Sequence, residues 1–172
     1  MGQLIAFPQL PTPYPDLAAD LDKGESILLL AIRWWGESFR EGEDPIPCLL
    51  QGLETVGTAD AAFSIDGLMS IVARVARRPV DIRCPRCPRL SDNEKHLLRA
   101  VCLVQNGSRD MAEKALRTTL LSPQAAEFAL GPLEGLAEIF AKARLFLSPR
   151  RLSGDDQAMD DSRESWSPST LH

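Results

Sequence analysis

Two cysteines set three residues apart, Cys84-Pro85-Arg86-Cys87, are the one motif in this sequence with the residue types and spacing for chemistry. Two thiolates on a turn can grip one zinc ion as half of a tetrahedral set, or act together as a redox dithiol. Zinc needs four ligands. The remaining nearby donors are His96 and Cys102, six residues apart on one helix and therefore about 120° apart around its axis, so they do not converge. A thioredoxin-like site needs its first cysteine at a helix N-terminus, whereas here Pro88 follows at once and the next helix opens near Ser91. The reading adopted is a rigid loop with structural cysteines and no cofactor, with zinc on Cys84 and Cys87 as the alternative.

Arg83, Arg86 and Arg89 recur every third residue through the same proline-rich stretch. A polyproline turn would align them on one edge, where they could bind an anion. Nucleic acid is disfavoured. Phe63 is the only aromatic residue between Arg40 and Lys114, which leaves no stacking platform. The helix from Arg109 to Leu121 is nearly neutral and ill suited to a phosphate backbone. The expectation is that the basic strip pairs with the acidic N-terminal half, within or between subunits. From Asp16 to Asp60 there are ten acids against three bases, and from Arg74 to Arg99 eight bases against three acids.

Catalysis finds little to build on. The chain has two histidines, His96 and His172, and no nucleophile elbow, phosphate-binding loop or zinc-protease helix. The third signal is Trp34-Trp35. Tandem tryptophans point about 100° apart on a helix, so one surface rarely buries both. They are candidates for a subunit contact as well as for core filling.

The elements that position these residues read as helices. Apolar residues make up 44 % of the 172 residues and aromatics 6 %, with Leu and Ala plentiful, a balance that favours an all-α fold. No apolar run approaches the length that crosses a bilayer and no secretory signal is apparent, so reduced thiols and a cytoplasmic setting are expected. Residues 1–22, with prolines at 8, 11, 13 and 15, form an extended arm lying across its own domain or a neighbour.

A single helical domain over 23–147 follows, an orthogonal or irregular bundle of about six or seven short helices. The first, Lys23 to Arg40, carries an apolar face of roughly 200°, with Arg33, Glu37 and Arg40 on the other side. The second is expected from Cys48 to Val56, and the third from near Ser64 to Pro79, with Arg74, Arg77 and Arg78 in its last turn. Ser91-Asp92-Asn93-Glu94 is a capping box that opens the fourth, and Ser108 caps the fifth. Pro123 starts the sixth, and Gly131-Pro132 separates it from a last one.

Gly107, Ala112, Leu116, Leu120 and Pro123 together resemble one tetratricopeptide-type helical hairpin. The resemblance covers about a seventh of the chain, does not recur, and implies an antiparallel helix pair. Residues 148–172 are rich in Ser and Asp and poor in apolar groups, Trp166 apart, and read as a disordered acidic tail. The function these features favour is non-catalytic protein association, with the chain pairing as a homodimer. The alternatives are a zinc- or nucleic-acid-binding protein using the cysteine–arginine loop, and an enzyme whose site converges only in three dimensions.

Overall fold

The computed structural model describes residues 11–152. The fold is all-α: an irregular bundle of six helices, with an N-terminal arm and a proline-rich loop between the third and fourth. They are α1 (Lys23–Glu41), α2 (Pro45–Glu54), α3 (Ala61–Val75), α4 (Asp92–Gln105), α5 (Arg109–Thr119) and α6 (Pro123–Lys142). Thr12–Pro13 (β1) pairs in parallel with Arg150–Arg151 (β2). None of the described helices is long and apolar enough to cross a membrane.

α1 packs on α2, α3 and α4, which is why its apolar arc is so wide. Leu28, Ala31, Ile32 and Trp35 are buried in the common core. Trp34, half-buried, lies against α2 at Gly52, where a Cβ would come within 2.2 Å of the indole. Gly52→Ala should therefore push Trp34 out of its seat and cost about 1–3 kcal/mol, as overpacking commonly does. Urea midpoints check this, and an unchanged midpoint would mean that the α1–α2 contact is loose.

α3 and α6 make the broadest contact in the bundle. Two glycines allow it, Gly67 facing the Pro132 ring and Gly135 facing Ser64. The break expected at Gly131-Pro132 does not occur, because α6 runs through Pro132 without interruption. Proline removes one amide donor from the ladder, the partner of the carbonyl of Phe128. Phe128 is exposed, so water can satisfy that carbonyl, while the ring packs on Gly67.

Other boundaries shift for local reasons. α2 starts at Pro45, because the Asp44 carboxylate accepts from the Ile46 amide at 3.0 Å and proline suits a first turn. α3 spans Ala61–Val75, leaving Arg77 and Arg78 outside it; the Arg77 amide bonds to the Leu120 carbonyl at 3.1 Å. α4 and α5 pack together across the Asn106–Ser108 turn, where Gly107 takes φ +73°, as the helix pair required.

The disordered tail expected from Ser148 does not begin there. Leu147 is buried, Ser148 donates to the Asp22 carboxylate, and Arg150 forks onto Glu25 with contacts of 2.7 and 2.8 Å. Glu25 also accepts from the Asp22 amide, so one buried carboxylate caps α1 and anchors the segment after α6. Residues 153–172, including Trp166, and residues 1–10 lie outside the described residues. From residue 11 to Leu17 the arm is extended on its own domain, where Tyr14 is buried and Leu17 bridges antiparallel to Arg89, and a 3-10 turn follows at Ala18–Asp20.

Candidate functional site: the two-cysteine loop

Residues 76–91 contain no helix or ladder strand, so their backbone polar groups need partners from elsewhere. α1 supplies several. The stripe Leu29, Arg33, Gly36, Arg40 faces the loop: Gly36 admits Ile82, and the Arg40 guanidinium donates to the Ile82 carbonyl at 3.0 Å. Arg33 donates to the carbonyls of Cys87 at 2.6 Å and Arg89 at 2.8 Å. Although it lies on the side of α1 opposite the apolar face, Arg33 is only 2 % exposed.

Its counter-charge is Glu94, which is fully buried. Arg33 Nε and Nη2 reach the two carboxylate oxygens at 2.8 and 2.9 Å, a fork on a fork. Those oxygens also accept from the Arg83 amide at 3.0 Å and the Ser91 amide at 2.9 Å. The capping box is present, the Glu94 amide donating back to Ser91 Oγ at 3.1 Å. A local capping residue therefore doubles as the anchor of a long-range ion pair. The arm closes the other side, with Ala18 N bonded to Pro88 O and Leu90 N to Asp16 O.

This frame presents the thiols. Cys87 N donates to Cys84 O at 3.0 Å, closing a four-residue turn. Cys84 is exposed and Cys87 half-buried. The Cys87 thiol is lowered from its ordinary pKa by the Arg89 amide, the Arg83 guanidinium at 3.9 Å from Sγ, and Arg33 behind it. The other cysteines with a shift move the opposite way. Burial and the Glu25 charge raise Cys102 to about 11, and burial with Glu37 and Glu43 raises Cys48. Among the described residues no three His, Cys, Asp or Glu groups converge as a metal cluster.

The turn folds Arg83, Arg86 and Arg89 out of a straight polyproline row. Arg83 is engaged with Cys87 and Asp81, while Arg86 and Arg89 point their side chains outward with no ion pair among the described residues. Within the chain, the expected pairing of the basic strip with the acidic half is seen at Lys95. Lys95 meets Asp16 at 3.4 Å, but no such pair forms at Arg74, Arg77 or Arg78 among the described residues.

Beside the loop lies an open apolar groove of about 450 Å³ between the end of α1 and the end of α3. Met69, Val72, Val80 and Ile82 line it, and Arg40, Arg77 and Arg78 edge it. Of the tryptophan pair, Trp35 is spent in the core, 3 % exposed and donating to Asp66 at 2.8 Å. Phe39, one turn on, stacks on Trp35 with ring centroids 4.8 Å apart and, 52 % exposed, forms part of the groove wall. Sequence reasoning missed Phe39 as a surface group, and Arg33, Glu94, Glu25 and Arg150 as anchors. The one available signal was the capping-box glutamate, a residue held in place by its own helix.

Compared with known protein families, curated proteins and solved structures, the chain matches none.

Proposed function

We propose that the chain is a non-catalytic association module whose partner is a second copy of itself. The observation that supports this reading is Phe39, a half-exposed aromatic on the wall of an apolar groove. An isologous contact needs that arrangement, because the patch must be complementary to itself. About a twofold axis, each Phe39 would enter the groove of the other copy.

Charge runs the same way. Glu41 and Glu43 follow Phe39 and are exposed, while Arg77 and Arg78 edge the groove, so each acidic edge would meet a basic one. In this reading Trp35 supports Phe39 from beneath and Trp34 holds α2, so the tryptophan pair backs the contact without forming it. The four cysteines carry no disulfide, which fits the cytoplasmic setting we assign.

Sedimentation of the full chain at micromolar concentration should give twice the 18.9 kDa monomer mass. F39D should give a folded monomer, whereas the same change at exposed Phe128 should leave the dimer intact. A monomeric wild-type chain, or an F39D variant that still dimerises, would overturn the proposal. A dimer abolished only by removing residues 153–172 would assign the groove to that segment instead.

A further inference from the structure

We propose that Cys84 and Cys87 form a dithiol site for exchange with small-molecule disulfides that carry carboxylates, Cys87 attacking and Cys84 resolving.

The turn places the two residues for bridging. A hydrogen bond from Cys87 N to Cys84 O closes it, and such turns hold their first and fourth Cα atoms within about 7 Å. Disulfides span about 4.4–6.8 Å between Cα atoms, so the bridge asks mainly for side-chain rotation. The turn is fixed from behind by Arg33 on the Cys87 and Arg89 carbonyls and by Glu94 on the Arg83 and Ser91 amides. The frame therefore survives a change of covalent state at the two sulfurs.

The two cysteines differ in the way the reaction needs. Cys87 has the Arg83 guanidinium beside its sulfur and the Arg89 amide directed at it, both of which favour the thiolate that attacks. Cys84 is exposed at the far end of the turn, placed to displace a group from Cys87. Arg86 and Arg89, within two residues of Cys87 in the chain, stand exposed without ion pairs among the described residues, and would draw an anionic reagent. Cys48 and Cys102 are disfavoured as thiolates, so the reaction is confined to the loop.

The steps balance. Cys87 thiolate attacks one sulfur of R–S–S–R, forming a Cys87–S–S–R mixed disulfide and releasing R–S⁻, which takes up a proton. Cys84 then gives up its thiol proton, and its sulfur attacks Cys87 Sγ. The bond between Cys87 Sγ and the sulfur carried by R breaks, and a second R–S⁻ leaves and is protonated. Two protein thiols are oxidised to one disulfide, and one reagent disulfide is reduced to two thiols.

The test treats the reduced full-length chain with oxidised glutathione, a carboxylate-bearing disulfide, and reads intact mass and peptide maps. The wild-type chain should lose two hydrogens with the bridge mapped to Cys84–Cys87. Cys84→Ser should accumulate the mixed disulfide at Cys87. Cys87→Ser should react at Cys84 at least about tenfold more slowly. In urea that difference should vanish, showing that it belongs to the folded loop and not to the peptide. An uncharged hydroxyethyl disulfide should react more slowly with the wild type, and Arg86→Ala with Arg89→Ala should erase that preference. Equal native rates at Cys84, Cys87 and Cys48 would overturn the proposal. So would a mixed disulfide at Cys87 that Cys84 never resolves, or zinc co-purifying at half or one ion per chain and blocking both thiols until chelated.

Discussion

Arg33→Met is expected to destabilise the fold by about 3–5 kcal/mol, the usual cost of removing one partner from a buried ion pair. The Glu94 carboxylate would remain fully buried with only the Arg83 and Ser91 amides, and the carbonyls of Cys87 and Arg89 would lose their donors. Arg33→Lys should recover little. An ammonium is a point charge and cannot fork onto a carboxylate while also reaching two carbonyls. Arg33→Met combined with Glu94→Gln should be less damaging than Arg33→Met alone, because glutamine can still close the capping box and no unpaired charge stays buried. Urea midpoints of the wild type, Arg33→Met, Glu94→Gln and the double variant give the coupling directly. Single-variant losses below about 1 kcal/mol would place the pair with ordinary surface salt bridges and sink this account. Amide exchange adds a local readout, since protection should fall first at residues 83–91.

The second large effect concerns where the folded chain ends. Ending the protein after Leu152 should leave its melting temperature nearly unchanged, because residues 153–172 carry five acids, one arginine and no core pattern. Ending it after Leu147 should cost about 3 kcal/mol or more, since that removes Arg150 from the fully buried Glu25. For a domain of this size the drop corresponds to roughly 6–12 °C. Ser148 on Asp22, and the Tyr14 amide on the Arg151 carbonyl at 3.0 Å, would be lost with it. Arg150→Ala in the full chain should reproduce most of the loss. Equal melting temperatures for the two truncations would show that β2 is incidental to stability.

Both effects come from one device used twice. Glu25 and Glu94 each occupy the third position of a helix behind a capping residue, Asp22 and Ser91, and each carboxylate bonds back to that residue's amide. Such a glutamate is held in place before any tertiary contact forms. An arginine that arrives from elsewhere in the chain therefore meets a carboxylate whose ordering cost is already met. Arg150 ties the segment after α6 to the start of α1, and Arg33 ties the cysteine loop to its middle. The bundle gains a frame for two stretches that lie outside its helices.

What the sequence by itself determined is the part governed by local rules. The all-α class, the extent of α1, the capping box at Ser91, the start of α6 at Pro123 and the irregular course of 79–90 all follow from periodicity, caps and proline. Where a local rule had a tertiary competitor, the structure decided. Pro132 reads as a helix break because it removes a donor, yet packing on Gly67 carries α6 through it. Arg33 reads only as a residue of the polar side, because periodicity records polarity, and a buried charge looks the same as an exposed one until Glu94, 61 residues away, is in place. Arg150 falls in a polar stretch for the same reason. At the candidate site, the spacing of Cys84 and Cys87 announced two thiols on a turn. That Cys87 is the sulfur set beside Arg83 and the Arg89 amide, and Cys84 the exposed one, depends on which carbonyls Arg33 and Glu94 hold fixed. Those are contacts between α1, the loop and α4, and only the assembled core brings them together.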